Sequence, residues 1–272
     1  MRLVDKVVIV TGSATGIGRA IAVRCGAEGA RVVVHGLEAD LVPQVVAAIG
    51  ADAAGPRAVG HVEDLTAPGC PERLVELAVR SFGRLDAVVN NAAVITTGDV
   101  HTTDAACFER TLAVNTLAPL RLIQASLPQL RATRGSVLNI GSVNAWCGEP
   151  NLLPYSISKA GLMTLTRNLG DVLFREDGVR VNQINPGWVL TENEAARKRS
   201  HGMPDDWTSR LPRDTSPAGR LIRPDEIAAA AIFWLAEESG PISGQVVDLE
   251  QYPLIGRNPP KTVAPPSPTA PR

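Results

Sequence analysis

Seven short runs rich in valine and isoleucine, spaced by stretches of helix length, limit what this chain can fold into. They read KVVIV at 6–10, RVVVH at 31–35, the weaker RAVGHV at 57–62, LDAVVN at 85–90, GSVLNI at 135–140, VRVNQI at 179–184 and GQVVDL at 244–249. A strand with one wet face alternates apolar and polar residues, whereas an unbroken apolar run marks a strand buried on both faces. The pattern therefore predicts a single α/β domain: a doubly wound parallel sheet of about seven strands with helices on both faces. Helix signals fall between the runs, at 18–29, at 71–83 with Pro71 near the start, and at 224–238 with Pro224 likewise. A length of 272 residues, 44% hydrophobic and 20% charged, suits one such domain with a well-buried core. We expect it to occupy residues 1–255, followed at 256–272 by a proline-rich extended or disordered tail. Residues 190–223 break the pattern with mixed charge and several prolines, and read either as a lid over a site or as a mobile surface loop.

Charge and cysteine content narrow the function. A net charge of −1 creates no field that would draw nucleic acid or an anionic membrane, so the expected partners are a small-molecule substrate and further copies of the chain. The four cysteines, Cys25, Cys70, Cys107 and Cys147, have neither zinc-ligand nor disulfide-framework spacing. No metal is expected, since the histidines also lack ligand spacing. The first strand begins by Lys6 with no leader or membrane-spanning stretch, and a cytoplasmic location is expected.

Two constellations carry chemistry. The first strand runs into TGSATGIGRAIA, where Gly12, Gly16 and Gly18 open a helix. Glycines there let the backbone turn tightly and approach a pyrophosphate, whose charge meets the N–H groups and positive dipole of the helix start. The second is PYSISKAG at 154–161, which spends one of the chain's two tyrosines four residues before a lysine. On a helix that spacing makes a phenol and an ammonium neighbours, and a nearby cation lowers a phenol's pKa toward the range of a usable base. By itself such a pair is usually just the edge of an amphipathic face.

The spacing T-G-x-x-x-G-I-G at 11–18 resembles the cofactor loop of the short-chain dehydrogenase/reductase family, built on a Rossmann-type sheet. Further motifs follow in order: NNAA at 90–93, with Ala93 in place of a usual glycine; Asn115 in LAVNTLAPL; Ser142 in NIGSV; Tyr155 and Lys159 as Tyr-x-x-x-Lys; and Pro186 and Gly187 with Thr191 in NPGWVLTE. The resemblance spans about residues 3–250. It implies an NAD(P)-dependent oxidoreductase that moves a hydride between nicotinamide and a secondary alcohol or its ketone. Tyr155 would be the acid/base, Lys159 would lower its pKa and bind the nicotinamide ribose, Ser142 would hold the reacting oxygen, and Asn115 would hold a relay water. Cofactor contacts are implied for Gly12, Thr15, Gly16, Ile17, Gly18, His35, Asp64, Asn90, Tyr155, Lys159, Pro186, Val189 and Thr191. Asp64 would accept from the adenine or, alternatively, cap the helix beginning near Pro71; His35 would border the adenosine pocket.

Substrate contacts are expected from Asn144, Trp146, Trp188 and Asn193, with Glu149, Leu152 and Glu192 nearby, although Trp146, Trp188 and Trp207 also suit lid or core packing. This mixture of polar and aromatic groups suits a sugar, polyol or hydroxy acid, with a 3-oxoacyl thioester as an alternative. A different class, a silent dinucleotide sensor or scaffold, keeps the binding loop without turnover. The RKR run at 197–199 reads as a solvated helix face or as a grip on an anion. After the second strand, Gly36 and Leu37 offer neither the Asp usual for NAD nor the Arg usual for NADP; Glu38 tips the expectation to NAD, unless His35 or Arg57 neutralises a 2′-phosphate. VVDLEQY at 246–252 departs from the usual Val-Asp-Gly-Gly, so the backbone at the substrate mouth is free to take another path. Relatives of this size imply a homo-oligomer, a tetramer or dimer, pairing helices at 103–130 and 154–174.

Overall fold

The computed structural model describes residues 1–53 and 55–254; the tail expected at 256–272 lies outside the described residues. In chain order the elements are β1 (Val7–Val10), α1 (Gly16–Ala27), β2 (Arg31–Gly36), α2 (Leu41–Ile49), β3 (Ala51–Asp52), β4 (Gly55–Pro56), β5 (Ala58–Val62), α3 (Cys70–Phe82), β6 (Ala87–Asn90), α4 (Ala105–Leu112), α5 (Ala118–Thr133), β7 (Ser136–Ile140), α6 (Asn144–Cys147), α7 (Leu153–Asp177), β8 (Arg180–Pro186), α8 (Glu192–Ser200), α9 (Pro224–Leu235) and β9 (Val246–Leu249). Seven strands form one sheet in the order β5-β2-β1-β6-β7-β8-β9, all parallel. Each apolar run of the sequence supplies one of them. Only the small antiparallel hairpin β3–β4 had no apolar signal, because its residues are exposed or half-buried.

Burial on both faces follows from the period of two along each strand. Val8, Val10, Val32, Val34 and Val89 pack against Ile21, Ala22 and Cys25 of α1 and Ile227, Ala231 and Ile232 of α9. The alternating residues Val7, Ile9, Val33, Val88 and Val137 face Leu74 and Ala78 of α3, Leu122 and Ile123 of α5 and Leu173 of α7. Strand order reverses between β2-β1 and β6, so a crevice opens beyond the carboxyl ends of β1 and β6, the place where ligands bind in open α/β sheets.

α4 and α5 are one helical stretch interrupted by a π-helical turn at Ala113–Leu117. Asn115 sits in that turn, fully buried, with its Oδ1 accepting from Val94 N (2.9 Å) and its Nδ2 donating to Val94 O (2.9 Å) and Ser158 Oγ (2.9 Å). A widened turn in mid-helix commonly marks a functional position. Residues 190–223 are more ordered than a bare loop: they hold α8 and a short 3₁₀ turn at Trp207–Arg210. Among the described residues no helix is long and apolar enough to cross a membrane.

Candidate active site

The glycine turn, Asn90 and Pro186 stand at the carboxyl ends of β1, β6 and β8, on the crevice side of the sheet. After β1 the chain turns through Gly12 at φ 60° into Gly16 at φ 53°, the left-handed region that suits glycine. A Cβ on Gly18 would come 2.2 Å from Gly12 O, so only glycine lets α1 start this close to the turn. The loop is also held by a residue we did not single out from the sequence: Asn91 Nδ2 donates to Thr11 O (3.0 Å) and Gly12 O (2.9 Å), while Thr11 Oγ1 accepts from Asn91 N (3.0 Å) and Ala92 N (3.1 Å). Ala93, the departure from the usual glycine, is exposed and accommodated.

Ser142, Tyr155 and Lys159 come together, all buried. Ser142 stands two residues beyond β7, and Tyr155 and Lys159 lie on successive turns of α7, with Lys159 Nζ 5.7 Å from the Tyr155 ring centroid. Burial pushes the Tyr155 hydroxyl above its ordinary value, and a hydrogen bond from Ser142 is the main influence pulling it back, ahead of Arg197; Glu149 and Glu194 act upward. Burial lowers Lys159 to about 7. Ser142 is thus the neighbour that most eases the ionisation of Tyr155, while burial loosens the proton of Lys159 itself. Among the described residues Lys159 Nζ donates one hydrogen bond, to Ile140 O (2.8 Å), and takes part in no ion pair. A buried ammonium with donors to spare fits the diol of a nicotinamide ribose, and the glycine turn fits a pyrophosphate.

The remaining expected contacts have these partners. Asp64 neither caps α3, whose N-cap is Gly69, nor stands free: its carboxylate accepts from Thr66 N and Oγ1 (2.8 and 2.7 Å) and pairs with Arg110 (2.6 Å). Asn90 turns its amide to Asn139 Oδ1 (2.8 Å), beneath the crevice floor. His35 accepts from Gly12 N (3.4 Å), bonds Glu63 O (3.0 Å) and stacks on His61, and burial lowers its pKa to about 4. It is a neutral wall of the glycine turn. Arg57 donates to Gly26 O (2.9 Å) and Ile49 O (3.1 Å). Asn193, expected at the substrate, lays its amide on Thr15 Oγ1 (3.3 Å), and Glu192 accepts from Gly16 N (3.3 Å) and pairs with Arg19. Thr191 N-caps α8, while Val189 is buried and pairs in a bridge with Ile222.

On the substrate side, Trp188 stacks on Trp207 (5.5 Å) and donates from Nε1 to Glu194 (2.9 Å). Of the RKR run, Arg199 is exposed, Arg197 forks onto Glu194 (2.9 and 3.0 Å), and Lys198 lies over the Trp188 ring (4.8 Å). Asn144 donates to Glu149 (3.3 Å), and Trp146 to Asp248 (2.9 Å). The chain after β9 keeps parallel register through Pro186↔Leu249, then folds Glu250 over Gly187, where it accepts from Trp188 N (3.2 Å). Sequence spacing showed no metal set, yet the fold gathers ligand atoms of His61, Glu63 and Cys70 within 4.8 Å. Arg73 already holds that Glu63 carboxylate through two hydrogen bonds, and His61 through a third.

Comparison with known proteins agrees with this geometry. A family model described as enoyl-(acyl carrier protein) reductase matches residues 12–250. The chain is 32% identical over 251 residues to an uncharacterized oxidoreductase of Thermotoga maritima, covering 92% of this chain and 98% of the relative. It is also 32% identical to a D-threitol dehydrogenase of Mycolicibacterium smegmatis (89% and 90% covered) and 28% identical to a 3-oxoacyl-[acyl-carrier-protein] reductase of Thermotoga maritima (92% and 98% covered).

Proposed function

The chain belongs to the short-chain dehydrogenase/reductase family, oxidoreductases that use a nicotinamide cofactor on alcohols and ketones, and from that premise we propose that it oxidises a neutral, polyhydroxylated secondary alcohol, a polyol or sugar, with NAD. Bound NAD supplies the hydride acceptor. Tyr155 takes the hydroxyl proton of the substrate, Ser142 holds the reacting oxygen against it, and Lys159 holds the ribose diol and passes the proton on toward Asn115.

The observation that carries the substrate reading is the pairing of Arg197. It is the cation that acts on Tyr155, and Glu194 already neutralises it bidentately, while Glu149 adds a carboxylate on the same side. Carboxylates accept hydrogen bonds from hydroxyl groups and repel an acid substrate. The likeness to a D-threitol dehydrogenase points the same way. A panel of polyols, aldoses, hydroxy acids and 3-oxoacyl thioesters, read by nicotinamide absorbance, tests this; turnover confined to the acids or thioesters would overturn it. Tyr155→Phe should cut turnover by roughly two to four orders of magnitude. Turnover of any substrate excludes a silent sensor.

The NAD preference rests on Glu38. Its side chain folds back over Gly36, accepting from Leu37 N (3.1 Å), so a carboxylate stands at the end of β2, where it would accept from ribose hydroxyls and repel a 2′-phosphate. A tenfold higher kcat/KM with NADP would refute this. We further propose a cytoplasmic homo-oligomer. The free thiols support the compartment, and Leu117, in the π-helical turn just before α5, with Ile157 and Val172 on α7, all large apolar residues that are exposed, supports the pairing face.

A further inference from the structure

A row of buried amides runs across the sheet beneath the reactive centre. Asn90 donates to Asn139 (2.8 Å), Asn139 to Thr166 (2.8 Å), Thr166 to Gln183 Oε1 (2.8 Å), and Gln183 to Asn185 Oδ1 (2.7 Å). The row follows the strand register, Asn90↔Asn139↔Gln183, and is buried throughout. Its last member does two things. Asn185 Oδ1 also accepts the backbone N–H of Ser142 (3.1 Å), and Asn185 Nδ2 donates to Asp248 Oδ1 (2.9 Å). The same carboxylate oxygen accepts the indole N–H of Trp146 (2.9 Å). Gly141 is what allows this contact, since a Cβ there would lie 2.1 Å from Asn185 Oδ1.

We propose that Asp248 is a positioning residue for the reaction, its one oxygen fixing Asn185, and through it Ser142, to the Trp146 wall of the substrate cleft. This rests on the acid/base roles given above to Ser142 and Tyr155. An amide can rotate about its last torsion, and without Asp248 nothing in the described set of contacts engages Asn185 Nδ2. Gln183 Nε2 draws the amide oxygen from one side, and the carboxylate, by holding the amide nitrogen, completes the orientation in which that oxygen faces Ser142 N. Ser142 Oγ then stands where it hydrogen-bonds Tyr155, and a looser Ser142 leaves the phenol harder to ionise. The indole adds the reverse coupling: a substrate that presses on Trp146 bears on the same oxygen.

The experiment compares Asp248→Leu, Asp248→Asn, Ser142→Ala and the Asp248→Leu/Ser142→Ala double variant. Asp248→Leu should lose about ten- to a hundred-fold in kcat, with NAD affinity by tryptophan fluorescence within about twofold of the parent. The alkaline midpoint of its kcat profile for alcohol oxidation should move upward. Asp248→Asn keeps a carbonyl oxygen for both donors and should restore kcat and midpoint. The other charged groups near Tyr155, namely Lys159, Glu149, Glu194 and Arg197, are unchanged in all variants, and rescue by Asn separates hydrogen bonding from the loss of Asp248's own charge. The double variant should be no slower than Ser142→Ala, because one path carries both effects. Additive losses, an unmoved midpoint, or equal damage from Leu and Asn would overturn the proposal. Full activity of Ser142→Ala would instead overturn the role of Ser142, and this inference with it. Should Asp248→Leu fail to fold, Asp248→Ser, whose hydroxyl falls short of both donors, carries the same expectations.

Discussion

Replacing Lys159 by Met should make the protein more stable while disabling it, and the gain should fade with pH. Lys159 is 2% exposed, has no carboxylate partner among the described residues, and titrates at about 7 in the fold against 10.5 when free. Below pH 7 both folded and unfolded chains carry the proton, and the fold bears the whole penalty of burying it. Three and a half pH units correspond to about 5 kcal/mol. Between pH 7 and 10.5 the unfolded chain binds the proton and the fold does not, so stability of the parent rises by about 1.4 kcal/mol per unit. Methionine matches the stem of lysine and removes the charge, but forfeits the hydrogen bond to Ile140 O, worth about 1 kcal/mol. The net expectation is a variant more stable by about 3–4 kcal/mol at pH 6, converging on the parent near pH 10. Urea unfolding of both chains from pH 6 to 10 measures it, with Tyr155→Phe as a control for loss of function alone. A Lys159→Met variant less stable at pH 6, or a difference that does not change with pH, would refute the reasoning.

Glu192→Gln should tighten ADP and NAD about fivefold and leave adenosine unchanged, because the Glu192 carboxylate takes Gly16 N–H at the start of α1, where a pyrophosphate would also bond. Calorimetric titration reads it, and weaker NAD binding would make Glu192 a clamp rather than a competitor. Light scattering at micromolar concentration should give a dimer or tetramer mass, and Ile157→Glu on α7 should lower it; a monomer mass for the parent removes the proposed pairing face.

Much of this was legible because parallel strands and glycine turns leave strong local traces. The run at 31–35 had to be a buried strand, and Gly12, Gly16 and Gly18 had to be a turn opening a helix. The same apolar reading hid the amide row. Asn139, Gln183 and Asn185 interrupt SVLNI and RVNQINP, and polar residues inside a strand look like noise until the register sets them side by side. Asp64 shows the opposite: its place after the third sheet strand suits an adenine contact, and nothing local reveals that Arg110, forty-six residues on, also pairs with it. The Arg197–Glu194 pair is local, three residues apart on α8, whereas the contact of Asn193 with Thr15 depends on how α8 packs over the glycine turn, which spacing alone does not show.

The cleft is therefore held by two kinds of contact, and their energies divide its labour. The row from Asn90 to Asp248 is largely buried amide hydrogen bonding, where each broken bond leaves a desolvated group and costs about 1–3 kcal/mol. Several in series cannot open together at thermal energies, so Ser142 is fixed. Residues 190–223 touch the cofactor loop through Arg19–Glu192, two side chains about half exposed and worth at most about 1 kcal/mol, and through Glu192 on Gly16 N and Asn193 on Thr15. Trp188, on Glu194 and Trp207, packs at the base of the same segment. We expect a segment so attached to act as a lid that opens while the reactive centre beneath stays set. An enzyme built this way can admit and release a cofactor without reassembling its acid/base each turn, and the weak latch, not the buried row, is where exchange of the dinucleotide should be sensitive to salt.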